Sequence, residues 1–81
     1  IPDKVFNLTT LQILNCSNNQ ITVLQKEIGN LVLLHELNCL NNKLRLLPDE
    51  IGNLSQLYLF DCANNNLAYL PNQLTQLKNL R

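Results

Sequence analysis

Three cysteines and one histidine are the side chains of this 81-residue chain best equipped for chemistry. A thiol beside an imidazole makes a nucleophile–base pair, and sets of four such groups hold tetrahedral zinc. The spacing argues against both. Cys16, Cys39 and Cys62 stand 23 residues apart, with no local C-x-x-C pair, so ligands on successive units would form a line rather than a tetrahedron. His35 falls beside the outward positions of the strand argued below while Cys39 points inward, so the two do not face each other as a catalytic dyad. Gly29-Asn30 and Gly52-Asn53 lack any G-x-G or G-K-S setting, and Thr75 fills the glycine column in the third unit, so they read as turns rather than phosphate loops. Asn7-Leu8-Thr9, Asn15-Cys16-Ser17 and Asn53-Leu54-Ser55 are formal glycosylation sequons that repetition of an abundant asparagine explains; they matter only in a secreted protein. No catalytic residue, cofactor or metal ligand is expected.

Composition narrows the partners. Six basic residues balance six acidic ones, and no Lys or Arg cluster offers the footprint that a phosphate backbone demands, so nucleic acid is not an expected partner. No apolar run approaches the roughly 20 residues that span a bilayer, and Ile1-Pro2-Asp3-Lys4 has no signal-peptide layout, so membrane insertion is not expected.

The period that spaces the cysteines organises the whole chain. Leu8, Leu31, Leu54 and Leu77 recur every 23 residues, as do Leu11, Leu34, Leu57 and Leu80. Further columns follow in order: Leu14, Leu37, Phe60; Asn19, Asn42, Asn65; Ile21, Leu44, Leu67; Leu24, Leu47, Leu70; Ile28, Ile51, Leu74. A fixed period of 20 to 50 residues signals a stacked array. Full repeats are therefore expected at 8–30, 31–53 and 54–76, with partial repeats at 1–7 and 77–81. The chain reads as an uncapped segment of a longer array, one that alone would fray or self-associate through its open faces. Within a unit, apolar residues at 37 and 39 alternate as in a strand with one buried face, whereas 47, 51 and 54 are spaced as in a helical turn. Pro48 is expected as the first residue of that turn, with Asp49 and Glu50 near its positive end. Pro71 repeats the device; Gln25 replaces it in the first unit, predicting a less rigid turn there.

These columns resemble the leucine-rich repeat, L-x-x-L-x-L-x-x-N-x-L. The matching residues are Leu11, Leu14, Cys16, Asn19 and Ile21; then Leu34, Leu37, Cys39, Asn42 and Leu44; then Leu57, Phe60, Cys62, Asn65 and Leu67. The stretch LPDEIGNL at 47–54 is similar to the 23-residue subclass of intracellular Ras-associated repeat proteins and of some bacterial ones. The resemblance implies an α/β solenoid: a right-handed curved array with short parallel strands on the concave side and short helical or 3₁₀ turns on the convex side. It also implies a role in binding proteins. The departure is cysteine at 16, 39 and 62, where leucine is usual.

In such a stack equivalent residues lie about 4.8 Å apart and form ladders. Cys16, Cys39 and Cys62 then serve as small buried hydrophobes. Parallel side chains hold their Cβ atoms slightly beyond disulfide reach, so reduced thiols are expected, favouring a cytoplasmic setting over a secreted or cell-surface one. Asn19, Asn42 and Asn65 are expected to cap backbone groups where the chain leaves each strand, while Asn41 sits outside and matters much less. Alternation turns Gln12, Ile13, Asn15, Ser17 and Asn18 toward the concave face in the first unit. His35, Glu36, Asn38, Leu40 and Asn41 follow in the second, and Tyr58, Leu59, Asp61, Ala63 and Asn64 in the third. Among these Ile13, Leu40, Tyr58 and Leu59 are apolar anchors for a protein partner, and Glu36 and Asp61 give the face an acidic tint. The expected function is a non-catalytic interaction module; the alternatives are the recognition arm of a larger enzyme and a secreted or surface recognition protein.

Overall fold

The computed structural model describes residues 3–77. Seven short elements alternate along it: η1 (Asp3–Asn7), β1 (Ile13–Asn15), η2 (Lys26–Asn30), β2 (Glu36–Asn38), η3 (Asp49–Asn53), β3 (Leu59–Asp61) and η4 (Asn72–Gln76), where η marks a 3₁₀ helix. The strands form one parallel sheet in the order β1-β2-β3. Its register pairs Leu14 with Leu37 and Leu37 with Phe60, so each coil advances the chain by one strand and the 23-residue columns become physical ladders.

Each strand has three residues, but the ladder outruns it. Cys16 N–H donates to Asn38 O and Cys39 N–H to Asp61 O, both at 2.8 Å, and Asn18 and Asn41 donate to Leu40 O and Ala63 O. Upstream, the amides of His35 and Glu36 share Gln12 O, and those of Tyr58 and Leu59 share His35 O. A second set follows the turn: Lys43 N–H to Ile21 O and Asn66 N–H to Leu44 O, each at 2.9 Å. Backbone groups that an isolated coil would leave to water are thus paired with the next coil.

The convex side is built by i→i+3 bonds. Ile28 N–H donates to Gln25 O, Ile51 N–H to Pro48 O and Leu74 N–H to Pro71 O. Pro48 is not the first residue of its turn, as the sequence suggests, but the N-cap, with φ −70° and ψ 148°. Proline's ring fixes φ, yet the chain must still be extended to arrive from the flank, so ψ is set by the approach and the helical dihedrals begin one residue later. Gln25 adopts nearly the same cap, φ −67° and ψ 150°. Proline therefore changes no geometry here; its advantage is the entropy it removes from the unfolded chain.

Between sheet and turns lies a single core. Ile28, Leu31, Leu34, Leu37, Leu44, Ile51, Leu54 and Leu57 are fully buried, most from the middle coils, which have a neighbour on both sides. Burial of each such side chain contributes about 1.5–3 kcal/mol. Leu8 and Leu70, placed inward by their columns, are exposed. Each has a described coil on one side only, although Leu77, at the other end of the Leu8 column, is buried with a single described neighbour. Gly29 marks the tightest contact between coils: a Cβ there would lie 2.9 Å from Glu50 Cβ and 3.0 Å from Glu50 O. It is needed for the close approach of η2 to η3, more than for the turn itself.

Candidate protein-binding face

Strand alternation sends Leu14, Leu37 and Phe60 toward the core and leaves two outward rows. The first pairs Ile13 with Glu36 and Glu36 with Leu59; the second pairs Asn15 with Asn38 and Asn38 with Asp61. These six residues, with Leu14 and Leu37 beneath, line a concavity of about 170 Å³. Ile13 is 59% exposed and Leu59 47%, so two aliphatic side chains stand about half open to solvent on either side of Glu36. Six of the fifteen residues expected on the concave face are thereby brought together.

His35, Tyr58 and Leu40 do not line the groove. Tyr58 and His35 stack beside it, ring centroids 5.9 Å apart and tilted by 42°. His35 Nε2 is 3.1 Å from Gln56 Oε1, and the Tyr58 hydroxyl donates to Glu36 Oε2 at 3.5 Å. Leu40 is half-buried, and its carbonyl accepts from Asn18 N–H and from Asn42 Nδ2. The second row is less free than alternation implies. Asn15, Asn38 and Asp61 each turn Oδ1 onto the amide two residues ahead, at 3.0, 3.0 and 3.1 Å, an Asx turn that bends the chain out of the strand. Asn15 Oδ1 also accepts the Ser17 hydroxyl at 2.7 Å.

Behind this face stand the structural ladders. Asn42 is buried; its Nδ2 donates to Cys16 O and Cys39 O, both at 3.0 Å, and its Oδ1 accepts from Ile21 N–H at 3.1 Å. Asn65 repeats the set one coil on, with Cys39 O, Cys62 O and Leu44 N–H. Among the described residues Asn19 reaches only Cys16 O and Ser17 O of its own loop. The three cysteines are free thiols. Cys39, 1% exposed, has its thiol pushed up to about 12 chiefly by burial, with Cys16, Cys62 and Asp61 adding to it. Burial also raises the Cys16 and Cys62 thiols. Such groups are poor nucleophiles. The Cys16 and Cys39 thiols donate to Asn38 O and Asp61 O at 3.4 Å, a weak bond that leucine could not make. Among the described residues no group of three or more His, Cys, Asp or Glu is placed to hold a metal ion.

Two repeating features escape a reading for leucine and cysteine columns. Asn18, Asn41 and Asn64 all have positive φ, at 59°, 57° and 56°. Asparagine is among the few non-glycine residues that tolerate this region, so the N-N doublet was itself the signal. Val23, Leu46 and Tyr69 form an exposed apolar column on the flank, again 23 residues apart. Val23 and Leu46 line a second concavity of about 600 Å³ with Thr22, Leu24, Arg45, Leu47 and Pro48.

No family model matches the chain, and no curated protein matches it. Solved structures do. A leucine-rich-repeat protein of Leptospira interrogans superposes with a TM-score of 0.97 at 47% identity, over 100% of this chain and 21% of that one. The plant peptide hormone receptor RGFR1, solved in complex with RGF2, gives 0.91 at 34% identity over 100% of this chain and 14% of the receptor. The leucine-rich-repeat ectodomain of the receptor kinase SOBIR1 from Arabidopsis thaliana gives 0.85 at 28%, over 99% and 45%. The chain spans less than half the length of each of them. With the parallel sheet, the 3₁₀ turns and the asparagine ladder already in place, these likenesses establish the chain's fold as a leucine-rich-repeat solenoid.

Proposed function

We propose that this chain is a non-catalytic module that binds a partner protein through its concave sheet. The observation that carries the reading is the first outward row, in which Ile13 and Leu59 stand exposed in register on either side of Glu36 above a groove. Exposed aliphatic side chains in register on a sheet face serve as contact anchors, and Tyr58 beside them is a residue type enriched at binding hot spots. The similar plant receptor, solved with RGF2, supports a protein or peptide ligand for a solenoid of this kind.

The LPDEIGNL stretch and the unbroken spacing of 23 favour the short-repeat subclass, with units at 8–30, 31–53 and 54–76. Three free thiols in one column, two of them buried, favour a reducing, cytoplasmic setting. Among the described residues no helix is long and apolar enough to cross a membrane.

The test compares affinity capture by the wild type with capture by Ile13→Asp/Leu59→Asp, after circular dichroism has shown that both fold. A partner retained by the wild type and lost from the folded variant supports the concave reading. An unchanged set of partners refutes it and directs attention to the Val23, Leu46 and Tyr69 flank.

A further inference from the structure

Two charges on the concave face are not needed by the fold. In the column Asn15, Asn38, Asp61 the side chain's structural task is to accept an amide N–H two residues ahead, and asparagine performs it in two of the three coils. Asp61 does the same through Oδ1 alone, so its negative charge is surplus to the turn. Glu36 likewise stands in a column whose other members, Ile13 and Leu59, are uncharged. The two carboxylates are diagonal neighbours, on adjacent strands and adjacent rows. Strand spacing and rise put their Cα atoms roughly 8 Å apart, close enough for one guanidinium or ammonium to reach both side chains. The described cationic residues, Lys4, Lys26, Lys43 and Arg45, include none that lines the groove. The Tyr58 hydroxyl reaches Glu36 Oε2 at 3.5 Å from beside the groove. Apolar walls at Ile13 and Leu59 flank this negative centre.

We propose that the groove takes a basic side chain, arginine or lysine, presented by a partner protein between two apolar residues. The proposal rests on the concave reading above and adds the chemistry of the ligand. The apolar neighbours cover Ile13 and Leu59, and the cation lies between Glu36 and Asp61, where exclusion of water strengthens the attraction.

A random heptapeptide library displayed on phage tests it, selected in parallel on the wild type, on Glu36→Gln/Asp61→Asn and on Ile13→Gln/Leu59→Gln. Asp61→Asn keeps the Oδ1 acceptor and restores the residue of the other coils, so the amide variant folds. The wild type is expected to enrich peptides with Arg or Lys between apolar residues. Synthesised singly, these should bind the amide variant about tenfold more weakly, and more weakly still at high salt. Peptides that lack a basic residue, or that bind the amide variant as tightly as the wild type, overturn the charge assignment and leave the concave reading standing. Peptides that bind Ile13→Gln/Leu59→Gln undiminished, or a selection that enriches nothing above an unrelated protein, overturn both.

Discussion

Asn41 and Asn42 are neighbours in sequence and recur with the same 23-residue period, yet they are held for different reasons. Asn42 is buried, and its amide joins two coils: Nδ2 donates to Cys16 O and Cys39 O, and Oδ1 accepts from Ile21 N–H. Asn41 is exposed, and what distinguishes it is its backbone, at φ 57°. Its side chain adds one contact at the surface, Nδ2 to Asn18 Oδ1 at 2.7 Å. Repetition therefore identifies a constraint without saying what kind it is. One column answers to hydrogen-bond geometry and the other to a torsion angle.

The largest effect is expected from Asn42→Ala, which strands Ile21 N–H and removes one of the two amide donors that Cys16 O and Cys39 O each have, at a cost of about 2 kcal/mol in urea unfolding. Asn42→Gly should be no better, because the amide is what is lost. A variant as stable as the wild type would end the ladder argument. Asn41→Ala should cost about 1 kcal/mol through left-handed strain, and here Asn41→Gly should recover most of it. If glycine fails to recover stability, the Asn18 contact rather than the torsion holds the column.

Asn19 separates the two contributions within one ladder. Among the described residues its amide bonds only to its own loop, Cys16 O and Ser17 O, on an exposed site. Asn19→Ala should therefore cost less than about 1 kcal/mol by the same measurement, leaving most of the Asn42 effect to the bonds between coils.

The remaining effect, read by pH, belongs to the cysteine column beside these asparagines. Cys39 has its thiol pushed up to about 12 against an ordinary 9.0, so the unfolded chain loses this proton first as pH rises. Above pH 9 the unfolded state binds fewer protons than the folded one, and stability must fall from there through the folded value; below 9 the contribution is fully present. Urea midpoints at pH 7, 9 and 10 should show a decline at the alkaline end that is smaller in Cys39→Ala. An identical decline in both would place its origin elsewhere.

Much of the fold was legible because a solenoid repeats its solutions. The 23-residue columns named the inward residues of the middle coils, Leu34, Leu37, Leu44, Ile51 and Leu54, and the buried caps at Asn42. The alternation around Leu37 placed Ile13, Glu36 and Leu59 outward, and they do line one groove. What escaped was mostly what one coil does to the next. Leu8 and Leu70 share columns with buried residues yet lie exposed, whereas Leu77 of the Leu8 column is buried. The Asx turns of Asn15, Asn38 and Asp61 also stayed hidden, because alternation predicts a direction and not a hydrogen bond.

By itself the sequence determined the period, the order of strand and turn, and which columns face inward, because those follow from local stereochemistry and the side chain's preference for water or oil. Only the tertiary structure decided the close approach of adjacent turns that demands glycine at position 29. It also decided which of two adjacent asparagines is held by its side chain and which by its backbone. These depend on distances between coils, which no single repeat encodes.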